Sequence, residues 1–130
     1  MNHRHRLTRF APFWVLVFAW FAVMARAGNY AAGPGSTATG GDSTAVGTNN
    51  TASGSGGSTA VGYENTASGT NAITFGHSNN ASGILSSAVG YSNTVTGFNA
   101  AAFGYQNVVN GNTASALGAL NSAKGDSSSA

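Results

Sequence analysis

The chain has 130 residues, contains no Cys, and carries Asp, Glu, Lys or Arg at only 6% of positions. Its length sets a ceiling of one domain, and the lack of Cys excludes a disulfide framework and a thiolate metal site. With 19 glycines and charge far below the usual quarter of residues, neither a charge-rich disordered tail nor a conventional helical domain fits.

The formal charge of +2 belongs to the N-terminus. Arg4, Arg6, Arg9 and Arg26 are four of the five basic residues, and an apolar run of Phe10 to Ala25 lies between the last two. A basic start, an apolar core and the Ala25-Arg26-Ala27 site describe a secretory signal peptide over residues 1–27. The run falls short of the roughly 20 residues that span a bilayer, so no membrane span is expected in the mature chain 28–130. There Lys124 alone faces Asp42, Glu64 and Asp126, a net charge of −2. With one Lys and no Arg, that segment has no electrostatic footprint for phosphate backbones, and nucleic acid is excluded as a partner.

From Gly33 onward the chain keeps time by glycine. Gly33, Gly40, Gly47 and Gly54 are followed by Gly62, Gly69, Gly76, Gly83, Gly90, Gly97, Gly104, Gly111, Gly118 and Gly125. Every interval is seven except Gly54 to Gly62, where Gly56-Gly57 insert one residue. Successive sevens alternate in character, so the repeat is 14 residues. One half holds Asn50, Asn65, Asn79, Asn93, Asn107 or Asn121 three residues after its Gly. The other ends TAVG, ITFG, SAVG, AAFG or SALG.

Gly at every seventh position costs a helix about 1 kcal/mol each relative to Ala, and the intervening Ser, Thr and Asn favour turns. A coiled coil needs an a/d stripe, and collagen needs Gly at every third position; neither is present. Two short strands and two turns per repeat fit instead. The fold expected is all-β, a parallel β-roll or solenoid of about seven coils, with Gly47, Gly62, Gly76, Gly90, Gly104 and Gly118 as turn glycines at φ > 0. At about 4.8 Å per coil this is a rod of roughly 34 Å.

Strand side chains alternate faces. The residue two before each Gly is nearly always small (Ala45, Ala60, Ala88, Ala102) and is expected inside. The residue just before Gly then points out. In one half it is Val46, Val61, Phe75, Val89, Phe103 and Leu117, an apolar stripe; in the other it is Ser53, Ser68, Ser82, Thr96, Asn110 and Lys124. A long exposed apolar stripe marks an interface, here between copies of the chain. The opposite assignment, with the large residues in the core and Ala at the contact, stays open. The Asn row is expected to cap turns or satisfy backbone groups. Tyr63, His77, Tyr91 and Tyr105 recur every 14 residues and stack into an exposed turn ladder. That ladder is read first as packing between coils and second as a repetitive binding surface.

The units STAVGYENTASG, SSAVGYSNTVTG and ASALGALNSAKG resemble the head repeats of YadA-like trimeric autotransporter adhesins, over some 98 residues. The resemblance implies a left-handed roll, a homotrimer, display on the outer surface of a Gram-negative bacterium, and adhesion to host extracellular matrix protein or glycan, to cells or to other bacteria. The sequence shows no stalk heptads and no membrane-barrel strands, and it stops inside a repeat. It is therefore expected to be C-terminally incomplete, displayed if part of a longer adhesin and otherwise extracellular.

No catalytic constellation, cofactor or metal site is expected. His77 is isolated, and the three acids occupy unrelated repeat positions. The alternatives to adhesion are an ice-binding or purely structural solenoid, or an inactive fragment. Ice binding favours flat Thr arrays, and Thr37-Ala38-Thr39 and Thr94-Val95-Thr96 are read as out of register with each other.

Overall fold

The structure, a computed structural model, describes residues 28–130; the expected signal peptide lies outside the described residues. Each 14-residue unit forms one long and one short strand. The long strands are β1 (Tyr30–Ala32), β3 (Thr44–Thr48), β5 (Thr59–Tyr63), β7 (Ile73–His77), β9 (Ser87–Tyr91), β11 (Ala101–Tyr105) and β13 (Ser115–Ala119). The short ones are β2 (Thr37–Ala38), β4 (Thr51–Ala52), β6 (Thr66–Ala67), β8 (Asn80–Ala81), β10 (Thr94–Val95), β12 (Val108–Val109) and β14 (Ser122–Ala123). Long strands pair only with long strands and short with short, giving two seven-stranded sheets in coil order. All pairings are parallel, and equivalent residues of successive units face each other, as in Phe75↔Val89 and Phe103↔Leu117. This is the parallel β-solenoid of about seven coils that the period implies.

The interior follows a rule applied twice per coil. Counting from a beat Gly, the third and fifth residues point inward. From Gly76 these are Asn79 and Ala81; from Gly83 they are Ser86 and Ala88. Every residue two before a beat Gly from Ala45 to Ala123, including Thr74, Val95 and Val109, is buried. Ala therefore fills the core, and the large apolar side chains of Val46, Phe75 and their equivalents stay outside it. The alternative assignment is excluded. A roll two strands thick has room for little more, Val95 and Val109 being the largest apolar side chains it encloses. Sequence reasoning missed the row Ser43, Ser58, Ala72, Ser86, Ala100 and Ala114, all buried. Its signal was a small residue three after each alternate Gly, or four across the insertion at Ser58.

The glycines do a different job from the one expected. Gly47, Gly62, Gly76, Gly90, Gly104 and Gly118 have φ of 117° to 122°, but each lies within its long strand, one place before the end. The turns are instead made by non-glycine residues at φ near 50–60°, among them Glu64, Asn71, Ser78, Leu85, Ser92, Asn99 and Gln106. The glycines of the other half, such as Gly83, do not have positive φ. What the two sets share is proximity. A Cβ placed on Gly90 would fall on the carbonyl oxygen of Gly104, and one on Gly83 would fall on that of Gly97. The clock is thus kept chiefly by backbone of adjacent coils closing at the corners, where a side chain has no space.

The extra residue at Gly56-Gly57 is confined to one turn. Pairing resumes as Thr44↔Thr59 and Val46↔Val61, and Gly57 N–H donates to the Gly41 carbonyl at 2.7 Å. A slip inside a strand would have sent the whole core face outward.

Candidate functional site

A core of Ala and Ser supplies little apolar burial, so polar groups carry much of the ordering. The Asn row runs up one inner corner. Asn79 Nδ2 donates to the carbonyls of Phe75 at 3.1 Å and Gly90 at 2.8 Å, and to Asn65 Oδ1 at 3.0 Å. Its own Oδ1 accepts from the backbone N–H and Nδ2 of Asn93 at 3.0 and 2.9 Å. The same pattern holds at Asn65 and Asn93, and at Asn107 except that its Oδ1 accepts from the backbone N–H of Asn121 alone. These side chains are buried and saturated, so they offer nothing to a ligand. The hydroxyls of the fully buried serines are satisfied similarly: Ser43 and Ser58 Oγ share the Gly54 carbonyl, and Ser86 Oγ donates to the Gly83 carbonyl.

The outer face of the long-strand sheet is where the molecule is unfinished. Register aligns Val46, Val61, Phe75, Val89, Phe103 and Leu117 into one row along the rod. The three valines are half-buried, Val89 between Phe75 and Phe103. Phe75, Phe103 and Leu117 keep 55%, 43% and 76% of their surface in solvent. Ile73, at the head of β7, adds to this face. Ile84, Leu85 and Phe98 are also exposed, at the turns leading back into the long strands. Sequence reasoning passed over these four. The signal at the turns was large apolar residues in slots held elsewhere by Thr70, Asn71, Asn112 and Thr113.

Two places beyond the apolar row lies the aromatic row. Tyr63, His77, Tyr91 and Tyr105 close their long strands rather than sitting in the turn, and they stack in register. Tyr63–His77 and His77–Tyr91 meet edge to face, with centroids 4.9 and 4.8 Å apart; Tyr91 and Tyr105 lie nearly parallel, 5.3 Å apart and 11° between planes. These are favourable aromatic geometries. The Glu64 carboxylate, through a hydrogen bond and its charge, holds the Tyr63 phenol above its ordinary value.

The outer face of the short-strand sheet is polar. Thr37, Thr51, Thr66, Asn80, Thr94, Val108 and Ser122 share one row. Thr37 and Thr94 are therefore in register, contrary to the expectation from the sequence: the one-residue insertion between them accounts for their apparent mismatch. Among the described residues no group of three or more His, Cys, Asp or Glu could hold a metal ion. No helix among them is long and apolar enough to cross a membrane.

Coils of one period, each burying mostly small residues and holding its neighbours by in-register hydrogen bonds, define a β-solenoid repeat protein. The family model for the YadA head domain repeat matches residues 38–57, 55–78, 81–107 and 96–121, more than half of the sequence. The chain belongs to that family and is an adhesin-type head repeat region. The comparison with curated proteins found no match to it.

Proposed function

We propose that this chain is the binding head of a homotrimeric surface adhesin, attaching its bearer to host matrix protein or glycan, to cells or to other bacteria. The mature portion is residues 28–130, exported by the leader 1–27, and it performs no catalysis. The observation that carries the trimer is the apolar row on one face only. Phe75, Phe103 and Leu117 stand in solvent on the long-strand sheet, while the opposite sheet presents Thr, Ser and Asn. A self-associating surface of that kind lets three rods share their apolar faces and leaves the polar faces for contact with a partner. Repetition makes such contacts multivalent, so many weak points along the rod add to one firm attachment.

Light scattering on the mature chain tests the assembly. A trimer mass is expected, and Phe75→Ser with Phe103→Ser should bring it to that of a monomer; an unchanged mass sinks the face assignment. Adsorption to immobilised matrix proteins and glycans tests the adhesion, and a trimer that adsorbs to none of them, nor to cells, sinks that part alone.

A second reading has one observation in its favour. The short-strand face aligns Thr37, Thr51, Thr66 and Thr94 in a regular array, as an ice-binding solenoid would. Asn80 and Val108 interrupt the row, which ranks this reading second. Thermal hysteresis in a solution of the mature chain decides it.

A further inference from the structure

The tyrosines are distributed unevenly with respect to one another. Four occur in the chain: Tyr30, Tyr63, Tyr91 and Tyr105. In the aromatic row Tyr63 is separated from Tyr91 by His77, and Tyr30 opens β1 rather than closing a strand. Only Tyr91 and Tyr105 are direct register partners, with their rings stacked at 5.3 Å and 11°. Both rings keep more than two fifths of their surface in solvent, so an oxidant reaches them. They sit on strands held by parallel hydrogen bonding, which keeps the two rings together rather than letting them diffuse apart.

We propose that Tyr91 and Tyr105 form an oxidative modification site, joined by a one-electron oxidant into an intrachain dityrosine that staples one coil to the next. Each phenol gives up one electron and its phenolic proton. The two phenoxyl radicals couple through ring carbons ortho to oxygen, and the hydrogen on each joined carbon moves to the phenolic oxygen as aromaticity returns. The pair loses two hydrogens in all, and one hydrogen peroxide, acting through a peroxidase, accepts them and leaves as two waters. His77 keeps Tyr63 out of the reaction by occupying the intervening coil.

The test treats the purified chain with peroxidase and hydrogen peroxide. Dityrosine fluorescence should appear, with a loss of two hydrogens from the intact mass and no change of chain size on a denaturing gel. Cleavage at Glu64 and before Asp126 should place the link within the fragment that holds both residues. Tyr91→Phe and Tyr105→Phe should each abolish the link, whereas Tyr63→Phe should leave it intact. Circular dichroism of the Phe variants confirms that they keep the fold. The linked chain should melt at a higher temperature than the unlinked one, and the link should fail to form in denaturant. Fluorescence that survives Tyr91→Phe, a product joined between chains in place of the internal link, or tyrosine consumed with no dityrosine would each overturn the assignment.

Discussion

Asn79 reaches across one coil to donate to the carbonyl of Gly90, the same oxygen on which a Cβ at Gly76 would fall. The two recurrent residues of the repeat thus serve one joint. Gly brings the backbones together, and Asn fills the hydrogen-bonding capacity of the carbonyls gathered there.

Asn79→Ala should therefore cost more than its volume suggests. It removes the donor to the carbonyls of Phe75 and Gly90 and one donor to Asn65 Oδ1, all in a closed interior. At about 1–3 kcal/mol for a buried group left unpaired, a loss of at least about 2 kcal/mol is expected. Asn79→Asp should be worse, because the carboxylate oxygen replacing Nδ2 would face the Phe75, Gly90 and Asn65 acceptors and only the other would keep the Asn93 donors. Chemical denaturation measures both, and an Asp variant as stable as Ala would contradict the donor assignment.

Gly90→Val combines a φ of 119° with a collision against the Gly104 carbonyl, so it should lower the melting temperature severely or prevent folding. Gly41 is the control. Its φ is not positive, and an added Cβ meets nothing closer than Gly56 N at 3.9 Å. Gly41→Ala should shift the melting temperature by no more than a few degrees in either direction. Equal effects at the two sites would show that close approach does not set the clock.

Deleting Gly57 should be tolerated. The neighbouring turn through Thr70 and Asn71 makes the same reversal with one residue fewer, and the strands on either side of Gly57 are already in register. Removing one flexible residue also lowers the entropy of the unfolded chain, so stability should hold or rise slightly. Deleting Asn71 from its regular turn should instead strain or break the adjoining coils. Thermal melts of the two deletions give the comparison, and similar losses in both would mean that the insertion is structurally required.

The phenol of Tyr63 should titrate above its usual range because of the Glu64 carboxylate, and Glu64→Gln should bring the midpoint down toward about 10. A phenol that holds its proton more tightly in the folded state contributes stability that is complete below its unfolded value and fades as pH rises through the folded one. The wild type should accordingly lose stability above about pH 10 more than Glu64→Gln does. Tyrosinate absorbance with pH, compared between the two and with Tyr63→Phe, reports it.

Much of this architecture could be read from spacing. The period gave the coils, the alternation of Ala with Val or Phe gave the inner and outer faces, and the lone extra residue announced a harmless bulge. The turn conformation was harder. Residues as ordinary as Leu85 and Ser92 adopt positive φ because the N–H of each is taken up by the preceding coil, Leu85 to the Thr70 carbonyl and Ser92 to that of His77. Such a bond depends on the stack and leaves no mark on local composition. The row from Ser43 to Ala114 escaped for a similar reason, since small residues are common throughout the chain and only their burial sets them apart. Thr37 and Thr94 looked mismatched because position was counted without allowing for the insertion.

The tolerance of the Gly54–Gly62 interval reaches beyond stability. Because every strand pairs only with its counterparts one repeat away, duplication or loss of one repeat's worth of coding sequence leaves each remaining junction as it was. Reach therefore becomes a countable trait, lengthened or shortened by recombination in whole steps without any compensating change in the interior.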